Sequence, residues 1–124
     1  MEKVKFSSLK GKVLGKIKFS DLDYSGRPTL VEFETDRGFL YQMFHDQECC
    51  EEVYLEDING DVEDILYTPI LQAEESSGGE SVEDSYGNIG EWTFYRLATV
   101  KGYLVLRWFG FSETYSIDVD LYKL

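Results

Sequence analysis

The sequence predicts a mainly β fold, in the β-rich α+β sense: an antiparallel sandwich or strongly curved sheet of seven to eight strands with one or two short helices. Three observations carry that expectation. Apolar and polar residues alternate with a period of two in one short segment after another. Clusters of Gly, Asp, Asn and Pro separate those segments at close spacing, and no long stretch repeats with the helical period. At 124 residues and 43% hydrophobic side chains, the chain reads as one domain, 1–124, large enough for a real core.

From the N-terminus, Phe6-Ser-Ser-Leu9 reads as a short helical turn or loop ended by Gly11. Val13, Ile17 and Phe19 then alternate with Lys12, Lys16 and Lys18, the pattern of a half-buried strand. Residues 21–28 form a turn cluster, and Pro28 restricts its neighbours so that strand geometry resumes at Thr29. Val31, Phe33 and Thr35 face opposite to Glu32 and Glu34 in the next strand. Asp36-Arg37-Gly38 reverses the chain, the glycine supplying a positive φ. The returning strand runs from Phe39 to Phe44, with His45 on the face of Phe39, Tyr41 and Met43.

A polar corner follows, and then a strand from Val53 to Ile58, stopped at Asn59-Gly60. Asp61 to Leu66 is expected to form one or two helical turns, with Asp61 as N-cap and Pro69 closing them. Ile70 to Glu75 is a strand that runs into a polar, glycine-rich, acidic insert, 76–90, expected to be a flexible loop. Trp92 to Thr99 and Tyr103 to Phe109 pair around Val100-Lys101-Gly102. Gly110 to Glu113 turns again, and Tyr115, Ile117, Val119 and Leu121 alternate with Thr114, Ser116, Asp118 and Asp120 as a last strand.

The formal net charge of -12 is unevenly spread. Residues 1–18 carry Lys3, Lys5, Lys10, Lys12, Lys16 and Lys18 against Glu2 alone. No Lys or Arg occurs between Arg37 and Arg96, an interval that holds 15 of the 24 carboxylates. Direct nucleic-acid binding is thereby disfavoured, because nucleic-acid binders present the opposite sign. The acidic interval serves solubility, imitates nucleic acid towards a basic partner, or holds cations. There is no apolar run of 18 residues, hence no expected membrane span, and no signal-peptide pattern. Adjacent Cys49 and Cys50 do not make a disulfide framework, so a reduced, cytoplasmic protein is expected.

The chain's only histidine and both of its cysteines stand in the corner between Phe44 and Val53. His45 with Cys49 or Cys50, oriented by Asp46 or Gln47, has the composition of a thiol nucleophile and its base. The same residues equally describe a histidine bonded to a turn beside small, buried cysteines. Two adjacent thiols and one imidazole lack the fourth ligand of a zinc site. Asp57, Asn59, Asp61 and Glu63 have the alternate spacing of a calcium loop, but the glycine comes early and Thr68 stands where a bidentate glutamate belongs. No catalytic set, metal site or cofactor is expected. At least one cysteine is expected to pack inward, with Cys49, Cys50 and Glu51 fixing the corner.

Arg96 and Arg107 sit inside apolar strand segments and need acceptors there. The acidic majority supplies them internally, or the two guanidinium groups and nearby aromatics make a place where phosphates pair and bases stack. The ligand-binding set expected on that basis is His45, Asp46, Gln47, Arg96, Arg107, Trp108 and Tyr115, with His45 bordering a pocket beside Arg107 or a tyrosine.

The run from His45-Asp-Gln-Glu-Cys-Cys-Glu to Glu56-Asp-Ile-Asn-Gly-Asp61, followed by Pro69-Ile-Leu-Gln-Ala-Glu-Glu75, is one half of a recognisable pattern. Trp92-Thr-Phe-Tyr-Arg-Leu-Ala-Thr-Val-Lys-Gly102 and Leu106-Arg-Trp-Phe-Gly110 are the other. Together, over about residues 9–120, they resemble a family of small phage and prophage proteins known only as a domain of unknown function. The resemblance carries no activity. It implies a bacterial virus or prophage and a small accessory protein in the host cytoplasm. Three functions suit that context. A non-enzymatic protein sequesters a nucleotide-type immune signal in an arginine and aromatic pocket, as a homo-oligomer where protomers share the pocket. Alternatively, an acidic face occupies the nucleic-acid site of a host defence protein. A thiol-dependent enzyme is the third.

Overall fold

The computed structural model describes every residue except Cys49, Asp84, Ser85 and 113–115, together with the side chains of Gly79 and Glu80. Its described residues form two antiparallel sheets. The strands are β1 (Glu2–Val4), β2 (Leu14–Ser20), β3 (Leu30–Thr35), β4 (Leu40–Phe44), β5 (Glu52–Gly60), β6 (Gln72–Glu83), β7 (Ile89–Thr99), β8 (Gly102–Phe111) and β9 (Asp120–Lys123). The first sheet has the order β1-β9-β4-β3-β2 and the second β5-β8-β7-β6. Two 3-10 turns, Phe6–Leu9 and Val62–Asp64, are the helical elements among these residues. The sandwich-like, mainly β expectation is met, with β1 added because its three residues are too short for a period to show.

The period-two faces become the core. Val31 and Phe33 of β3, Tyr41 and Met43 of β4 and Leu121 of β9 meet Leu55 of β5, Tyr95 and Leu97 of β7 and Leu104, Leu106 and Trp108 of β8. Phe6 and Leu9 on the first 3-10 turn join them, the Phe6 ring standing edge-on to Tyr95 at 5.1 Å. In β2 an irregularity between Leu14 and Lys16 shifts the register. It lets Leu14 be buried ahead of half-buried Ile17 and Phe19, a change of face that simple alternation misses.

Three local expectations are corrected. The insert 76–90 is not a loop through most of its length. Ser76, Ser77 and Ser81 pair with Phe94, Thr93 and Glu91, so it forms the far arms of the β6–β7 hairpin. The helical reading at Asp61 shortens to a 3-10 turn, although Asp61 does cap it by accepting from the Glu63 N–H. The last strand begins at Asp120 rather than Thr114, with 114–115 outside the described residues. Burial still alternates through exposed Ser116, half-buried Ile117, exposed Asp118 and buried Val119. The backbone carbonyls of Asp118 and Val119 instead accept from side chains, at His45 and Tyr95.

The chain leaves the first sheet once, through the 45–51 corner between β4 and β5, and returns between β8 and β9. Those two crossings meet, and the site is built there.

Candidate functional site

His45 follows β4 on the inward-facing alternation of Tyr41 and Met43, which carries its ring between the two crossings. Nδ1 lies 2.7 Å from the Asp118 carbonyl and Nε2 lies 3.0 Å from Glu51 Oε1. Their side chains are 6% and 0% exposed respectively. The Glu51 carboxylate also accepts the backbone N–H groups of Glu48 and Cys50. Gln47 closes the turn by donating its side-chain N–H to the Glu51 carbonyl. A buried carboxylate is tolerable where it is hydrogen-bonded this densely. Glu51 is thus the organising residue of the corner, and the sequence marks it only as one of several adjacent acids.

Asp46 is exposed. Cys50 is also exposed, while Cys49 lies outside the described residues. His45 borders a cavity of about 420 Å³ with Asp21, Gln42, Phe44, Gln47 and Val53. Neither Arg107 nor a tyrosine shares that wall.

The rest of the expected ligand set lies elsewhere. Trp108 is 1% exposed in the core, on the opposite face of β8 from Arg107. Tyr115 lies outside the described residues. Arg96 and Arg107 do share a face, the outer one of the second sheet, where Arg96 pairs across from Val105 and Arg107 from Phe94. Arg96 lies over Tyr103 at 5.2 Å and bonds Gln72, whereas Arg107 lies over Trp92 at 4.3 Å. An irregularity between Leu55 and Asp57 turns Glu56 towards that face. Its carboxylate meets Arg107 at 3.4 Å and the Trp92 indole N–H at 3.2 Å, with Asp57 at 3.9 Å from Arg107. Arg107 therefore has internal acceptors. Asp57 and Asp61, read as calcium-loop positions, are engaged in this ion pair and in the helical cap.

A groove of about 440 Å³ opens beside the second crossing. Glu75 and Glu91 line it from the face of β6 and β7 that also carries Tyr95, and Asp118 and Asp120 line it from the return to β9. Ser76, Ser77 and Thr93 add hydroxyls, Ile117 an apolar floor, and no Lys or Arg lines it. The Tyr95 hydroxyl donates to the Val119 carbonyl at 2.9 Å. Burial, and then the neighbouring Glu75 carboxylate, push that phenol well above its ordinary value and keep it neutral. Ile117 is seated directly over Gly110, where an added Cβ would stand 2.8 Å from Ile117 Cβ. Gly110, Tyr95 and His45 together fix the wall that presents Asp118. Sequence reading missed this groove because its carboxylates come from two hairpin arms and a distant return segment. The one available signal was Glu75 and Glu91 on the inward alternation of Tyr95.

Among the described residues no helix is long and apolar enough to cross a membrane. No curated protein and no solved structure matches the chain. A family model described as "Domain of unknown function (DUF7448)" matches residues 7–121, from the first 3-10 turn to β9. The chain therefore belongs to the DUF7448 family.

Proposed function

We propose that the protein is a non-catalytic binding protein that docks a positively charged partner in the groove between Glu75, Glu91, Asp118 and Asp120. The observation that carries this reading is the groove's lining: four carboxylates from three segments and no Lys or Arg, with Lys3 meeting only Asp120, from outside the lining, at 3.4 Å. Carboxylates placed close together repel one another and remain only where the fold holds them, so a cationic ligand is the complementary occupant. In the phage or prophage setting suggested by the sequence, the partner is the basic nucleic-acid site of a host defence protein in the bacterial cytoplasm. Other acids of the interval between Arg37 and Arg96 are engaged internally: Glu51 serves the corner, and Glu56 and Asp57 pair with Arg107. Charge reversal at Glu75 and Glu91 is expected to abolish docking. Unchanged affinity in that variant would remove the reading.

A second reading retains sequestration of a nucleotide-type signal, moved to the outer face of the second sheet. It is favoured by Arg96 and Arg107 standing as diagonal neighbours, each over an aromatic ring. A thermal-shift panel of cyclic nucleotides should then stabilise the wild type and not Arg96→Ala. No shift across the panel would exclude it.

A further inference from the structure

The cavity beside His45 and the acidic groove have no Lys or Arg in their walls. A third cavity, of about 360 Å³, does. It lies where the chain enters β2 and where β3 turns into β4, and Lys12, Val13, Thr35, Asp36, Arg37 and Phe39 are among its lining residues. The Asp36 N–H donates to the Val13 carbonyl at 2.9 Å, which ties the two segments into one wall.

The fold gathers cations here although the chain as a whole carries a formal charge of -12. Lys12 comes from the lysine-rich first eighteen residues and Arg37 from the turn between β3 and β4. Lys123 of β9 adds a third at the rim, its ammonium 4.9 Å from the centre of the Phe39 ring. Other lysines have acids to answer them: Lys16 and Lys18 stand across from Glu34 and Glu32 in the β2–β3 ladder, and Lys3 pairs with Asp120. Lys12 and Arg37 differ. Among the described residues neither side chain makes an ion pair or a hydrogen bond, and Asp36, the one acid in the wall, is paired with neither.

Thr35 is 6% exposed, and its hydroxyl oxygen accepts from the Phe39 N–H at 3.0 Å, which leaves its own hydrogen available to a ligand. Two like charges held on one wall repel each other and are relieved by an anion between them. A guanidinium fork and an ammonium point charge both suit the oxygens of a phosphate group. The volume falls in the range of small-molecule sites, so there is room for the molecule that bears the phosphate.

We propose that the cavity between Lys12, Thr35 and Arg37 binds the phosphate group of a small phosphorylated molecule. The site goes beyond the acidic groove: it takes the opposite charge and uses none of the groove's carboxylates, so either can fail without the other. It is also separate from Arg96 and Arg107, which belong to the second sheet.

The test titrates inorganic phosphate and phenyl phosphate into the full chain at constant ionic strength, read by NMR of the backbone amides. Saturable shifts centred on residues 11–13 and 35–39 are expected with both probes. Arg37→Gln and Lys12→Gln should each weaken binding about threefold or more. Arg37 is exposed in its turn, so its substitution leaves the fold intact. Asp36→Asn should tighten binding, because it removes the one acid that opposes the anion. Lys16→Gln, an equal loss of charge at an exposed position of β2, should bind as the wild type does. No saturable shift, exclusion of phenyl phosphate, shifts centred on Arg96 and Arg107, or a loss in Lys16→Gln equal to that in Arg37→Gln would each overturn the assignment.

Discussion

His45 Nε2 meets Glu51 Oε1 at 3.0 Å with both side chains almost wholly withdrawn from solvent. The other ring nitrogen faces the Asp118 carbonyl, which can only accept, so Nδ1 carries hydrogen. One side chain thereby ties the outgoing crossing to the returning one. His45→Ala removes both bonds and leaves a buried carboxylate short of a partner. A loss of about 2–4 kcal/mol in denaturant unfolding is expected. Glu51→Gln should cost a comparable amount, because its amide group sets N–H against N–H at the corner's backbone donors. Both variants should also weaken docking in the groove, whose wall Asp118 occupies.

Gly110 makes the complementary prediction from the sheet side. Alanine there would bring Cβ to 2.8 Å from Ile117 Cβ, a branch point that cannot swing away as a chain end could. The return segment must lift. We expect Gly110→Ala to destabilise by about 1–3 kcal/mol and to shift the amide resonances of residues 116–119. A variant as stable as the wild type, with those resonances unmoved, would show that Ile117 is not seated as described.

Arg107 is expected to matter for stability on the outer face. Arg107→Ala leaves Glu56 and Asp57 facing each other without their cation and bares the Trp92 ring, a cost of about 1–2 kcal/mol. Arg107→Lys should recover only part of that, since an ammonium does not reproduce the planar stack. Urea unfolding of the three proteins, read by tryptophan fluorescence, decides it.

The Tyr95 phenol gives a pH dependence of definite sign. Its value is raised in the folded state by burial and by Glu75. The unfolded chain therefore loses this proton first, near the ordinary value of 10.0, while the folded protein keeps it. The stabilisation is fully present below that pH and is lost as pH rises beyond it. Tyr95→Phe should lower the melting temperature at neutral pH by removing the bond to Val119, yet melt with a shallower decline between about pH 9 and 11. Parallel declines in the two proteins would contradict the assignment.

Much of the fold was legible because strand periodicity reports burial directly. Val31, Phe33 and Thr35 lie on one face and are all buried, and Gly38 turns the following hairpin with a φ of +84°. Legibility failed where something other than the period decides. Ser76, Ser77 and Ser81 have no apolar pattern, and their pairing with β7 follows from the strong hairpin beside them. Arg107 and Trp108 are neighbours in sequence, and a strand sends such neighbours to opposite faces, which alone separates two members of the expected pocket. The special chemistry of the 45–51 corner was visible as a break in periodicity. Its purpose was not, because the partner at Asp118 lies 73 residues away. Glu75 and Glu91 meet Asp118 and Asp120 only once the two sheets are stacked.

The central claim is that the groove, and not the overall negative charge, docks a cationic partner. The most direct test is the affinity of a short arginine- and lysine-rich peptide, measured by titration calorimetry for three proteins: the wild type, Glu75→Lys with Glu91→Lys, and Glu48→Lys with Glu63→Lys. The two doubly substituted proteins carry the same net charge, and all four targeted side chains are exposed. The groove variant should lose about tenfold or more in affinity, while the control loses only the small, salt-screened part due to long-range attraction. Equal losses in the two variants would contradict the account and leave the acidity as a property of the whole surface.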